Sequence, residues 1–242
     1  MSDGRRRAIL ALDTATTRVV VATGSLEGRA DGFTTWTAGY RHGETLLPTI
    51  ERFLGEQNIR RSGLIGIVVG SGPGAFTGLR VGIATAKGLA HGLGLPIVGI
   101  STAEALLAAA GEGADSTPGA GADPKPGERE ARPVLLLPAG PSDRILVRPG
   151  ARPERLPGGT EPNLAPGEWL FAVDLEGRAP ADAVERGERA REGLGPTLIR
   201  LGAERFRRGA VDDLAGLVPE YVTLPRGVTT QGGEVAWSRD PR

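Results

Sequence analysis

Apolar and polar positions fall into clear blocks over the first hundred residues and into weaker ones after that. Ala8-Ile9-Leu10-Ala11-Leu12 and Val19-Val20-Val21-Ala22 are β-rich runs. The gap between them, Asp13-Thr14-Ala15-Thr16-Thr17-Arg18, suits a hairpin. A third, more polar strand is predicted over 32–37. Leu46, Leu47, Ile50, Phe53 and Leu54 recur at offsets that fit one face of a helix over 44–57. Pro48 falls about one turn into it, where a missing amide donor costs little. Leu64-Ile65-Gly66-Ile67-Val68-Val69 is almost wholly apolar, as expected for a strand covered on both faces. A glycine-rich stretch follows, Val69-Gly70-Ser71-Gly72-Pro73-Gly74-Ala75-Phe76-Thr77-Gly78-Leu79-Arg80, then a helix over 77–93. Pro96-Ile97-Val98-Gly99-Ile100 reads as another strand, and Ser101-Thr102-Ala103-Glu104 as a capping box opening a further helix. The predicted order is β-β-β-α-β-α-β-α, an α/β lobe over 1–110.

Residues 111–132 lose this periodicity. Gly, Ala, Pro, Asp and Glu dominate there, as in a flexible linker or long loop. Structure is predicted to resume in a smaller second lobe over 133–225. Its strands are Val134-Leu135-Leu136-Leu137, Ile145-Leu146-Val147 and Trp169-Leu170-Phe171-Ala172-Val173, followed by a helix over 181–191 and a strand over 197–201. The polar tail, 226–242, is expected to be disordered. No internal repeat is evident.

Composition narrows the chemistry. The chain has 242 residues and a formal net charge of zero. Nothing in that balance draws it globally to nucleic acid or anionic membrane. No run of eighteen apolar residues exists to cross a bilayer. The start is basic, but Ala8 to Leu12 is too short for a signal-peptide core and stops at Asp13, so a cytoplasmic location is expected. With no Cys and two His, disulfides, thiol nucleophiles and thiolate metal sites are excluded, and a histidine-rich metal centre is not expected.

The glycine turn has the outline of a phosphate loop without its chemistry. A Walker A loop needs four residues between its glycines, then Lys and Ser or Thr. Here three residues separate Gly74 from Gly78, and Leu79 stands in the lysine's place. Gly70-Ser71-Gly72-Pro73-Gly74-Ala75 matches the loose dinucleotide pattern. It does not follow the first strand, however, and no acid follows the next strand. The plainer reading is a sharp strand-to-helix turn that uses glycine for positive φ.

On the helix after it, Gly78, Gly82, Ala86 and Ala90 form one small-residue row, and Ala84, Gly88 and Gly92 another. Each internal Gly costs about 0.5–1 kcal/mol against Ala. Close approach of another backbone would offset that. Either both rows pack within the lobe, or one faces the sheet and the other receives a partner's helix. On the second reading, Leu at Gly82 or Gly88 blocks pairing while the isolated lobe still folds. Asp13 and Thr14, in the hairpin, are the candidate cofactor-binding residues, since actin-like ATPases hold phosphate and metal with such a hairpin. The plainer alternative is that Asp13 and the threonines satisfy turn backbone. His42 and His91 have no zincin spacing, and no Gly-x-Ser-x-Gly elbow is present.

Together these residues resemble the TsaB (YeaZ) family of tRNA threonylcarbamoyladenosine biosynthesis proteins. Ile9-Leu10-Ala11-Leu12-Asp13-Thr14-Ala15-Thr16 resembles its opening strand. His42-Gly43-Glu44-Thr45-Leu46-Leu47-Pro48 resembles its helix signature, with Gly43 where Ser is usual. Gly70 to Arg80 and then Val81 to Ala90 match its most specific motif, with Ala75 where Ser is common. Pro219-Glu220-Tyr221-Val222 resembles its closing segment. The second lobe departs from the pattern. Where the family has Asp-Ala-Arg and then Glu-Val-Tyr on a hairpin, this chain reads Leu137 to Val147, so that lobe is expected to be remodelled.

The resemblance implies an actin-like (ASKHA, ribonuclease H-like) two-lobed fold with no catalysis of its own. It implies pairing with a TsaD-like catalytic subunit that transfers threonylcarbamoyl to tRNA adenosine, and a complex joined by a TsaE-like ATPase, with tRNA contact indirect. Pairing in the family uses the two first-lobe helices. On this chain they carry His42, Glu44, Leu47, Ile50, Glu51 and Leu54, and Arg80, Val81, Ala84, Lys87, Gly88 and His91. No cofactor is implied for the chain alone, and ATP or ADP at the subunit interface is left open. Three alternatives remain: an actin-like kinase or nucleotidase using Asp13, a self-associating homodimer built on the same helices, and the old glycoprotease assignment of the superfamily, which the absent metal ligands disfavour.

Overall fold

A computed structural model describes residues 7–37, 39, 42–114, 132–222, 228–231 and 234–237. The first lobe runs β1 (Ala8–Asp13), β2 (Arg18–Gly24), β3 (Ala30–Thr37), α1 (His42–Glu56), β4 (Leu64–Gly72), α2 (Phe76–Leu93), β5 (Ile97–Ser101) and α3 (Thr102–Ala114). Its sheet has the order β3-β2-β1-β4-β5. β1 pairs antiparallel with β2 and parallel with β4, and β4 pairs parallel with β5. The element order read from the sequence is the one observed.

The second lobe runs β6 (Arg132–Pro138), β7 (Arg144–Val147), β8 (Glu154–Leu156), β9 (Glu168–Ala172) and α4 (Ala181–Arg207). Its sheet, β8-β7-β6-β9, is antiparallel except for the parallel β6–β9 pair. That is the β3-β2-β1-β4 arrangement again, without a helix between its third and fourth strands. The fold therefore contains a topological repeat that residue identities do not display.

Period-two alternation sorts the strand residues into layers. Leu10, Leu12, Val21, Ile67 and Val69 face α1 and α2, against Leu46, Ile50, Phe53, Ile83 and Ala86. Ile9, Ala11, Val20 and Val68 face the other way, into a core shared by α3, α4 and the inner face of the second sheet. The layers are thus α1 and α2, first sheet, α3 and α4, second sheet. Each large aliphatic side chain taken fully from water contributes roughly 1.5–3 kcal/mol.

Three expectations need correction. The helix over 181–191 and the strand over 197–201 are one continuous helix, α4, of 27 residues. Gly193, Gly195 and Pro196 suggest a break, yet Leu194, Leu198, Ile199 and Ala203 are buried at helical spacing. Gly195 is where α4 meets the first sheet: a Cβ there would lie 3.2 Å from side-chain carbons of Val20 and Phe33. The linker does not start at 111, because α3 continues to Ala114; the rest of that stretch, 115–131, lies outside the described residues. The tail expected to be disordered contains an antiparallel pair, β10 (Val228–Gln231) and β11 (Glu234–Trp237), in register from Val228–Trp237 to Gln231–Glu234.

Candidate functional site

The parallel β1–β4 pairing brings Asp13 beside Gly70, at the ends of their strands. A Cβ at Gly70 would overlap the Asp13 carboxylate. The carboxylate is fully buried. Its Oδ1 accepts the Ala15 N–H at 2.8 Å and its Oδ2 accepts the Thr102 hydroxyl at 2.6 Å. Thr102 in turn accepts the Gly72 N–H at 3.1 Å. Burial pushes the Asp13 carboxyl up to about 6, against the opposing pull of those two hydrogen bonds. Asp174 nearby adds to the upward push. The Thr14 hydroxyl donates to Gly78 O at 2.7 Å. Both candidate cofactor residues are therefore bonded to the chain's own turn and helix.

The same hairpin accounts for one small-residue row of α2. Ala75 N–H donates to Ala15 O at 2.7 Å. Added Cβ atoms at Gly74, Gly78 and Gly82 would run into Ala15 or Thr14. Ala86 and Ala90 continue the row into the core. Leu at Gly82 would drive into Thr14, so the expectation that the lobe folds with that substitution is corrected. The second row faces outward. Ala84, Gly88 and Gly92 are exposed, and nothing lies within 4 Å of a Cβ built at Gly88 or Gly92. The turn ending α2 uses Gly94 at φ 63°, whose N–H reaches Ala90 O and His91 O.

The other residues assigned to partner docking divide by burial. Glu44, Leu47, Glu51, Arg80 and His91 are exposed, with Leu47 at 51%. Glu51 pairs with Arg61. Val81 and Lys87 are half-buried, Val81 against the core. Ile50 and Leu54 are 3% and 6% exposed. Helical spacing put them on a face, but it is the inward face, so their assignment to the docking surface is corrected. The side chain of His42 lies outside the described residues.

Sequence reasoning missed how the closing segment is used. Residues 219–221 lie over the glycine turn. Glu220 N–H donates to Ser71 O at 2.7 Å, and its carboxylate accepts the Ser71 and Ser101 hydroxyls at 3.3 and 3.1 Å. The Tyr221 ring packs on Phe76 with centroids 5.2 Å apart. The Arg80 guanidinium stands 3.8 Å over Phe76 and its Nε donates to Tyr221 OH at 3.0 Å. Arg80, expected as a docking residue, thus also clamps this strap. In the sequence only the resemblance of Pro219-Glu220-Tyr221-Val222 to a family segment marked it, because Arg80, 141 residues from Tyr221, and Phe76 lie far from it along the chain.

A second missed group ties the lobes together. Thr17 donates its N–H and hydroxyl to Asp174 at 2.7 and 2.5 Å. Asp174 pairs with the buried guanidinium of Arg191 at 2.5 Å. Arg191 also pairs with Glu188, and Glu188 with Arg18 at 3.0 Å. Burial depresses the Arg191 guanidinium's proton affinity, opposed by the attraction of Asp174. Among the described residues no group of three or more His, Asp or Glu side chains is placed to hold a metal ion, and no helix is long and apolar enough to cross a membrane.

With this geometry in place, the similarities to known proteins can be located on it. The family model described as TsaD, tRNA N6-adenosine threonylcarbamoyltransferase, matches residues 20–122, the greater part of the first lobe. An uncharacterised protein of Mycobacterium leprae is 38% identical over 102 residues, 40% of this chain and 28% of that protein. The tRNA threonylcarbamoyladenosine biosynthesis protein TsaB of Escherichia coli is 35% identical over 97 residues, 39% of this chain and 40% of that protein. In both alignments the chain spans less than half the length of the relative. The solved structure of YeaZ from Pseudomonas aeruginosa superposes with a TM-score of 0.65 at 23% identity, covering 89% of this chain and all of that one. The chain is a sequence relative of TsaB over its first lobe, and its fold is the YeaZ fold, an actin-like two-lobed α/β architecture.

Proposed function

We propose that this chain is a TsaB-like subunit of the machinery that forms threonylcarbamoyladenosine in tRNA, acting in the cytoplasm as the scaffold for a TsaD-like catalytic subunit. The observation that carries the reading is the division of labour on α2. One small-residue row is consumed by the chain's own β1–β2 turn, while Ala84, Gly88 and Gly92 form a bare outward strip, and Leu47 of α1 is exposed as well. A strip without side chains lets another helix approach closely and gains van der Waals contact from it.

The match of residues 20–122 to the TsaD family model supports a partner of the same build. Two related lobes can then pack helix layer to helix layer about a pseudo-two-fold axis. The reaction chemistry would belong to that partner, with a TsaE-like ATPase joining the complex and tRNA reached through it.

The test is reconstitution of the tRNA modification with TsaD, TsaE, tRNA and threonylcarbamoyl-adenylate, with the wild-type chain, with Gly88→Leu, or with neither. Modification should need the wild-type chain and fail with the variant. Full modification without any copy of this chain would refute the proposal. A homodimer on the same face is the second reading, favoured by the same strip; light scattering with and without the TsaD-like subunit separates the two. The Asp13-dependent kinase reading loses support from the buried, internally bonded carboxylate. Micromolar ATP binding by the purified chain alone would revive it.

A further inference from the structure

The second lobe holds an open cavity of about 710 Å³ whose walls, among the described residues, come from 142–180 and include none from the first lobe. Two arginines, Arg144 and Arg178, are among the residues that line it. Arg144 is 5% exposed, and its hydrogen bonds go to carbonyls, Arg178 O at 3.2 Å and Thr160 O. Arg178 likewise donates to Gly140 O and Pro141 O, at 3.0 and 2.7 Å. Among the described residues neither the buried Arg144 nor the half-buried Arg178 has a carboxylate partner within ion-pair distance, unlike the one other buried Arg. Arg191, also 5% exposed, is paired with Asp174 and Glu188. Carbonyl dipoles hold a guanidinium in place but do not neutralise it, and a buried uncompensated charge is costly. One exposed carboxylate, Glu161, also lines the cavity. Two positive groups against one negative leave it with one net positive charge.

Gly159 and Gly177 leave the remaining wall open, with nothing within 4 Å of a Cβ built on either, whereas Gly158 packs on Ser142 and donates its N–H to Asp143 Oδ1 at 3.2 Å. The start of the 27-residue α4 is already served by its own Asp182, whose carboxylate is held low by Arg186 and by the Ala183 and Asp182 N–H groups, so the guanidiniums and not the helix start are what the cavity offers an anion.

We propose that this cavity binds the phosphate group of a small phosphate monoester, with Arg144 and Arg178 as its counter-ions. Guanidinium forks match the several acceptor oxygens of a tetrahedral dianion. The recess argues for a small molecule over a nucleic-acid backbone, which is met by rows of exposed cations rather than by a guanidinium this deeply buried. The site does not depend on docking through α1 and α2.

Calorimetry and ³¹P line broadening on the full chain test it, with inorganic phosphate, adenosine monophosphate, adenosine and tRNA as probes. Adenosine monophosphate and phosphate should bind one to one, and adenosine should not. Arg178→Gln should weaken binding by about tenfold or more, the effect of losing a charge-assisted fork. Glu161→Gln should tighten it by about two- to fivefold, since a competing charge is removed. The thermal midpoint of Glu161→Gln should match wild type, which keeps that arm decisive if Arg178→Gln, which also releases the 140–141 turn, fails to fold. Absence of phosphate binding, affinity indifferent to Glu161→Gln, equal binding of adenosine, or binding of tRNA but not of adenosine monophosphate would each overturn the assignment.

Discussion

A methyl group added at Gly82 would collide with the Thr14 hydroxyl, whereas one added at Gly88 meets nothing within 4 Å. The two glycines share a helix and a helix-propensity cost, but only one has a structural reason in the isolated chain. Gly82→Ala should lower stability by about 1–3 kcal/mol, the usual cost of overpacking a tight contact. Gly88→Ala should raise it by about 0.5–1 kcal/mol through helix propensity. Chemical denaturation of the two variants beside wild type reads both signs at once. Asp13 gives a second test at this scale. Burial holds its carboxyl at about 6 in the folded chain, against an ordinary value of 3.8. Between those values the folded state keeps a proton that the unfolded chain has released. Asp13 therefore favours folding below about pH 4, and that contribution is lost as pH rises through 6. Asp13→Asn should abolish this fall in a denaturation series from pH 4 to 7. An unchanged slope would show that Asp13 titrates normally. The sequence showed a carboxylate on a hairpin but not its burial, because burial depends on Gly70 and Thr102, which the sheet and α3 bring from far along the chain.

α4 shows which elements were legible and which were not. α1 and α2 were plain because their apolar periodicity is uninterrupted. α4 was hidden because Gly195 and Pro196 sit where a strand-like run begins, and only tertiary packing makes those residues useful. Gly195 lets the helix touch β2 and β3, and Gly187 and Gly202 lie so close to Ala172 and Val68 that Cβ atoms would overlap them. Tertiary burial outweighs the propensity cost of such positions. The helix also carries Arg191 to the β1–β2 turn. Arg191→Met should destabilise the chain by about 3 kcal/mol, since it leaves the largely buried carboxylate of Asp174 without its cation, whereas Glu188 keeps Arg18. The loss should shrink in Arg191→Met combined with Asp174→Asn, because the second change removes that stranded charge. Strictly additive losses in the double-mutant cycle would mean the pair is not coupled.

At the scale of the molecule, the repeated sheet order explains why the second lobe was the harder half to read. Its copy lacks the helix between the third and fourth strands, and three of its strands have five residues or fewer, so little periodicity survives to be matched. The repeat also leaves the molecule lopsided. The α3 and α4 layer is covered by a sheet on each side, while α1 and α2 have a sheet beneath them and an exposed outer face that includes Leu47, Ala84 and Gly88. If that layer serves a partner, its outer residues add nothing to the stability of the isolated chain and much to the complex. Leu47→Asp should then leave the unfolding midpoint of the free chain within the range of ordinary surface changes, about ±0.5 kcal/mol. The same substitution should weaken binding to a TsaD-like subunit by 2 kcal/mol or more, roughly thirtyfold, as a buried hot spot does. Gly88→Leu should behave alike in binding, because a bulky side chain props the two helices apart. The combination matters more than either number. A substitution that harms folding and binding equally reports on the chain's own core, whereas one that spares folding and removes binding locates the surface. Equal titration of wild type and both variants against the partner would place the docking face elsewhere and leave the bare strip of α2 without a purpose in this complex.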